Sequence, residues 1–219
     1  MEVNFVIHDD TISAVATALG DGGIGIIRIS GNKAIEIANN IFRGINGKKA
    51  EDIKTHQVSY GHIIADGEIL DEVILIIMKA PHTYTREDVV EIHCHGGSLT
   101  VKHILDLTLR QGARLAEPGE FTKRAFLNGR LDLTQAQAVM DIIRSKTDAS
   151  LKMALGHLSG QFADKISSFR HELLGMIAHL EASIDFPEDE IEEFAIADVK
   201  QKVNNLVAEI NDLVATADT

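Results

Sequence analysis

The spacing of hydrophobic and polar positions changes character once along this chain, near Pro118. Before that point, short β-branched runs alternate with amphipathic helical stretches and glycine-rich turns. Residues 11–19 read as a strand, and Gly20-Asp21-Gly22-Gly23 as the loop after it. Ile24, Ile26, Ile27 and Ile29 predict a largely buried strand that Gly31 stops. Ala34, Ile37, Ala38 and Ile41 then recur at helical spacing, with Asn32 placed as N-cap and Gly44 as the stop. Residues 45–54 are polar and predict a surface loop.

Val58, Tyr60 and Ile64 share one face of an extended segment that meets Asp66-Gly67, a dipeptide that favours a tight hairpin. The returning chain holds the apolar run Val73-Ile74-Leu75-Ile76-Ile77-Met78, which reads as a central strand ended by Pro81. A further strand over 89–95 leads through Gly96-Gly97-Ser98 into a helix with Val101, Ile104, Leu105 and Thr108 on one face. Gly112 closes that helix, and a short strand over 114–116 ends at Pro118-Gly119. A hairpin among crossover helices implies an α/β domain built on a mixed sheet.

No strand signal follows. Thr134 and Gln137 form a capping-box pattern before a stripe of Ala136, Val139, Met140 and Ile143. Leu151, Leu155, Leu158, Phe162, Ile166, Phe169, Leu173, Ile177, Leu180 and Ile184 continue at spacings of three and four. They predict one helix on the order of 50 Å long at ~1.5 Å per residue. Phe186-Pro187 halts it, 188–193 is an acidic connection, and Val199, Val203, Leu206, Ile210 and Leu213 carry another helix with no stop signal before Thr219. The predicted organisation is therefore an α/β domain over 1–120 followed by an all-α region over 121–219. The latter is a long helical hairpin whose apolar stripes call for more chain or a second subunit.

Composition narrows the setting. Hydrophobic residues make up 45% and charged residues 25% of the 219 positions, which suffices for a packed core. The single cysteine, Cys94, excludes an internal disulfide and suits a reducing compartment. No apolar run is long enough to cross a bilayer, and the start carries two adjacent acids rather than a basic leader, so a cytoplasmic setting is expected. Thirty-three acids against 21 bases give a net charge of −12, and no basic stripe is visible. Such a field repels polyanions, so nucleic acid would need a basic partner to hold it.

Several residues carry candidate chemistry. Gly20-Asp21-Gly22-Gly23-Ile24-Gly25 matches G-x-G-x-x-G, yet the residues after it favour a strand where a dinucleotide site needs a helix. A glycine turn between strands is the better reading. Glu91, His93 and His95 alternate with Val90, Ile92 and Cys94, so on a strand they share a face at steps of about 6.6 Å. That face is compatible with a metal site, with a pocket in which Glu91 accepts hydrogen bonds from a heterocycle, or with a polar surface at a sheet edge. Arg28 interrupts an apolar strand and needs a partner or water, and Arg130 lies where the two parts of the chain join. There is no G-x-x-x-x-G-K-[ST] with which to bind GTP, and no catalytic triad or nucleophile elbow.

Taken in order, several segments resemble the MnmE (TrmE) family of tRNA modification GTPases. They are Asp10-Thr11-Ile12, the run Gly22 through Gly31, Tyr84-Thr85-Arg86-Glu87-Asp88-Val89-Val90-Glu91 with His95-Gly96-Gly97, the run Pro118 through Leu133, and Ala182 through Glu188. The resemblance implies a front domain like the tetrahydrofolate-binding domain of aminomethyltransferases, which also mediates homodimerisation. A helical domain would follow, interrupted in the family by a GTPase domain. With a flavin-dependent partner, MnmG, such proteins modify the wobble uridine of certain tRNAs, a reduced folate (5-formyl- or 5,10-methylene-tetrahydrofolate) supplying the one-carbon unit. GTP, with Mg²⁺ and K⁺, would belong to the GTPase domain, which this sequence lacks together with the family's C-terminal cysteine motif. The chain alone is therefore not expected to hydrolyse GTP. Thr17-Ala18-Leu19-Gly20 stands where the family commonly has Thr-Pro-Pro-Gly.

The resemblance places folate contacts on Arg28, Glu91 and Arg130. Glu91 would accept paired hydrogen bonds from the pterin, and the arginines would orient or neutralise the polar and anionic parts of the folate. The rival readings are a free-standing folate-dependent transferase and a dimerisation scaffold with a vestigial pocket.

Overall fold

A computed structural model describes residues 10–18, 20, 22–185 and 192–215. The chain divides into two compact units, Met1–Met140 and Asp141–Thr219.

The first unit is built on a mixed sheet, seven-stranded among the described residues, in the order β3-β4-β5-β6-β2-β1-β7. Its strands are β1 (Ile12–Val15), β2 (Ile24–Ser30), β3 (Phe42–Gly44), β4 (Gln57–Ala65), β5 (Glu68–Met78), β6 (Val89–His95) and β7 (Arg114–Leu115). The β1–β7 pair is parallel and the other pairs are antiparallel. Alternation decides the faces. Ile27 and Ile29 on β2, Val73, Leu75 and Ile77 on β5, and Val90, Ile92 and Cys94 on β6 are buried together in one core. Helices α1 (Ala34–Ile41) and α2 (Ser98–Arg110) cover that face, burying Ala34, Ile37, Ala38 and Ile41 from one and Val101, Ile104 and Thr108 from the other. The Thr108 hydroxyl donates to Ser13 Oγ at 2.9 Å, which satisfies a polar group buried between helix and sheet.

The opposite face, formed by the intervening residues, keeps Val58, Tyr60 and Ile74 exposed. At the β2–β6 end of this face lie the 83–88 loop and helix α3 (Glu120–Leu127). The sequence pattern had not marked this helix. It begins after Gly119, whose φ of 77° is left-handed, and Glu120 accepts from the Glu117 N–H at 2.7 Å.

Several local expectations change. The first strand covers Ile12–Val15 rather than 11–19, of which Leu19 lies outside the described residues. Helix α1 stops at Ile41 instead of reaching Gly44, because Phe42–Gly44 pairs with β4 as an edge strand. Asn32 does not cap it through its side chain, since the N-cap position is Lys33. The predicted loop over 45–54 contains a short 3₁₀ turn, Ala50–Asp52, and buries Ala50 and Ile53.

Helix α4 (Leu133–Arg144) opens with a reciprocal box two residues earlier than expected. Asp132 Oδ1 accepts from the Gln135 N–H at 2.8 Å, and Gln135 Oε1 accepts from the Asp132 N–H at 2.9 Å, whereas Thr134 is already inside the helix.

In the second unit the expected single helix is two, α5 (Asp148–Leu158) and α6 (Gln161–Asp185). They break at Ser159-Gly160, where Gly160 takes a φ of 85°. Thr147 caps α5 by accepting from Ser150 N–H at 3.1 Å. Helices α6 and α7 (Glu192–Ala215) pack together with Lys165 and Glu209 ion-paired across them. Phe169, Met176 and Leu206 are buried, whereas Leu173, Ile177, Val207 and Val214 remain exposed. The predicted stop at Phe186-Pro187 and the acidic connection up to residue 191 lie outside the described residues. Among the described residues no helix is long and apolar enough to cross a membrane.

Candidate functional site

Strand register creates the site. Arg28 on β2 pairs directly with Glu91 on β6, and both side chains point away from the helices. The Arg28 guanidinium donates to Glu91 Oε1 through Nε at 2.8 Å and Nη2 at 2.7 Å. His93, two residues along, places Nε2 3.2 Å from Oε2. The Glu91 side chain keeps 15% of its surface accessible and that of Arg28 keeps 29%, so the pair borders solvent. The arginine that interrupts an apolar strand is thus matched by a carboxylate directly across the ladder.

Arg130 joins them through an aromatic ring. Its guanidinium carbon lies 4.8 Å from the centroid of Tyr84, and that of Arg28 lies 5.6 Å from the same centroid. Arg28 is also 5.6 Å from the ring of Phe121 on α3. The three expected residues therefore converge, and Tyr84 and Phe121 complete the cluster. Periodicity in the sequence had not singled out either aromatic, since neither sits in a strand or an apolar stripe.

His95 goes elsewhere. Its Nδ1–H donates to Asp71 at 2.6 Å, its backbone N–H donates to the other Asp71 oxygen at 2.8 Å, and the hydrogen bond to Asp71 raises its pKa. Among the described residues no three His, Cys, Asp or Glu side chains are gathered to hold a metal, and β6 lies inside the sheet rather than at its edge. Cys94 faces the core, where burial pushes its thiol up to about 11, well away from nucleophilic use.

A buried ion network supports the site from below. Arg124 on α3 is 1% exposed, and it donates to Asp10, Glu87 and Glu120 at 2.8, 3.1 and 3.1 Å. Glu87 accepts in turn from Ser30 Oγ at 2.7 Å, which also lies 2.7 Å from Thr85 Oγ1. Arg114 binds Asp10 and Glu120 as well, each at 2.6 Å. Hydrogen bonds from Arg114 hold the Glu120 carboxyl down to about 2, against burial that pushes it up. Burial likewise pushes Asp10 up, but the bonds and charges of Arg114 and Arg124 outweigh it and its pKa is lowered. The network ties the 83–88 loop, α3 and the end of β2 into one body.

A separate cavity of about 610 Å³ lies at the start of α2, lined among others by Thr17, Gly22, Ile24, Gly96, Ser98 and Lys102. Neither Arg28 nor Glu91 nor Arg130 lines it. Gly20, Gly22 and Gly25 of the G-x-G-x-x-G run line its wall, with Gly25 already inside β2: a Cβ there would meet Val101 Cγ2, and one on the neighbouring Gly96 would meet the Gly22 carbonyl.

The site's residue types fit a reduced folate. A partly exposed carboxylate can accept from ring N–H groups, two guanidiniums can receive anionic and carbonyl oxygens, and aromatic faces lie beside them.

Comparison with known proteins identifies the family. A family model described as the N-terminus of the GTP-binding protein TrmE matches residues 11–130, which include Arg28, Glu91 and Arg130, and one described as the MnmE helical domain matches 133–219. The tRNA modification GTPase MnmE of Alkaliphilus oremlandii is 52% identical over 213 residues, covering 96% of this chain and 46% of the relative. That of Streptococcus thermophilus is 51% identical over 209 residues (95% and 45%), and that of Geobacillus thermodenitrificans 49% over 211 (95% and 46%). The chain thus spans about half the length of the curated relatives it matches. With the first model alone covering more than half of its residues, the chain belongs to the TrmE/MnmE family and carries that family's N-terminal and helical-domain sequence.

Proposed function

We propose that this chain is the tetrahydrofolate-binding and homodimerisation part of a tRNA modification GTPase. In the intact protein, acting with an MnmG-type flavoprotein in the cytoplasm, it would serve modification of the tRNA wobble uridine with a one-carbon unit from folate. The relatives' name supports the tRNA modification reading. One observation carries the folate reading: Arg28, Glu91 and Arg130, far apart in sequence, gather around Tyr84 at the rim of an open sheet face. Glu91 would hold the pterin edge, and the guanidiniums of Arg28 and Arg130 would take the carbonyl and anionic oxygens. The bound folate itself supplies the one-carbon chemistry.

The exposed Val58, Tyr60 and Ile74 on that sheet face support homodimerisation, because apolar side chains side by side on a strand pair gain most by being covered. The net charge of −12 supports a basic partner that holds the tRNA.

A second reading, a dimerisation scaffold in which Arg28–Glu91 is purely structural, has its own support: both Glu91 oxygens already have partners within the chain. Isothermal titration with 5-formyltetrahydrofolate separates the two. Saturable binding lost in Glu91→Ala supports the folate module; no binding by a folded wild type sinks it and leaves the scaffold.

A further inference from the structure

Arg86 occupies a left-handed backbone conformation, φ 60°, which costs a non-glycine residue on the order of 1 kcal/mol and persists only where its surroundings demand it. The demand comes from the end of α3. Arg86 Nη1 donates to the Asn128 carbonyl at 2.9 Å, and Asn128 Nδ2 returns a hydrogen bond to the Thr85 carbonyl at 2.6 Å. The two segments are thus laced in both directions.

The Asn128 end of α3 is itself tightly closed. Gly129 takes φ 69°, its N–H donates to Phe126 O at 2.9 Å, and the Arg130 N–H donates to Ala125 O at 2.9 Å. A Cβ on Gly129 would stand 3.5 Å from Arg86 Nη1, so the arginine lies against the turn itself. In a helix end of this kind the residue after the glycine commonly packs back on the helix. Here that residue is Arg130, and its guanidinium lies on Tyr84, the residue just before the laced pair Thr85-Arg86. Tyr84 is fixed on its other side by its hydroxyl, 2.9 Å from Thr122 Oγ1 on α3.

We infer that Arg86 is a positioning residue: its guanidinium, delivered from a left-handed backbone, latches the Asn128-Gly129 turn and so sets Arg130 on Tyr84 beside the Arg28–Glu91 pair. This rests on the folate reading for its consequence in binding, although not for its geometry. The hydrogen bond of Arg86 goes to the Asn128 turn. Arg86 acts through Arg130, so its loss weakens ligand binding only as far as Arg130 contributes.

The test uses the 219-residue chain with Arg86→Gly, which keeps the left-handed backbone and removes the guanidinium, and with Arg86→Lys, which keeps the charge without the fork. Side-chain NMR of Arg130 should show ring-current shifts from Tyr84 in the wild type that vanish in Arg86→Gly. Their persistence would overturn the latch whether or not folate binds. If Arg86→Gly fails to fold, Arg86→Asn, which tolerates the left-handed backbone and is too short to reach the Asn128 carbonyl, carries the same comparison. With 5-formyltetrahydrofolate, Arg86→Gly and Arg130→Ala should each weaken Kd about tenfold, and the double variant should be no weaker than Arg130→Ala. Two losses that multiply would overturn action through Arg130. A wild type that binds no folate would remove the folate reading and leave the NMR comparison to decide the latch.

Discussion

Arg28 and Glu91 stand opposite each other on adjacent antiparallel strands, and both donors of the arginine converge on a single carboxylate oxygen, Oε1. The other oxygen, Oε2, lies 3.2 Å from His93 Nε2, and the carboxylate side chain as a whole keeps 15% of its surface accessible. Glu91→Gln keeps the shape and removes the charge. Folate affinity should fall tenfold or more, while stability drops only about 1 kcal/mol, since a pair that borders solvent is screened. Titration calorimetry beside a urea melt checks both numbers, and an unchanged folate affinity beside a loss of stability would make the pair structural.

Arg124 has no such access to water. Arg124→Met would leave Glu87 without its cation and Asp10 and Glu120 with Arg114 alone, and breaking a buried pair from one side costs of order 3–5 kcal/mol. The urea midpoint should fall accordingly, and the 83–88 loop should lose hydrogen-exchange protection.

The same network sets an acid limit. Glu120 is held from an ordinary 4.5 down to about 2 in the folded chain, so the unfolded chain takes up its proton first as pH falls. Its contribution is complete above about pH 5, declines between there and about pH 2, and is gone below, roughly 3 kcal/mol in all as an upper figure. Glu120→Gln should flatten the stability–pH curve in that window and leave the curve's shape near neutrality unchanged.

Gly61 tests the edge of the sheet. A Cβ there would meet the Arg43 carbonyl at 2.3 Å and Phe42 Cζ at 2.6 Å, and the backbone atom cannot step aside. Gly61→Ala should destabilise by about 2 kcal/mol or detach β3 from β4, read from amide exchange at residues 42–44.

The open sheet face predicts the assembly. Ile74 lies opposite Tyr60 on neighbouring strands, both exposed. If the proposed dimer forms through this face, Ile74→Glu should leave the chain monomeric in light scattering without lowering its melting temperature, and a mass equal to that of the wild type would overturn this face as a dimer contact.

Much of this was legible in the sequence, because it depends on local period. The alternation around Glu91 puts Glu91 and His93 on one face, and β-branched runs with glycine stops mark β2, β5 and β6. Motif order marks the family. Local spacing is weaker at helix ends. Gly156 and Gly175 stay within α5 and α6 while Gly160 breaks the helix between them, and a glycine's cost of about 1 kcal/mol is too small to say which of the three yields.

The sequence by itself determined which residues alternate and which stripes are apolar, and its family resemblance nominated Arg28, Glu91 and Arg130 as candidate contacts. Tertiary structure decided what meets what. Arg28 and Glu91 lie 63 positions apart, and only the β2–β6 register makes them partners rather than two isolated charges. Arg86 and Asn128 are 42 apart, and their latch exists because α3 folds back along the 83–88 loop. Pairing across such separations follows from packing the whole core, which no window of neighbouring residues contains.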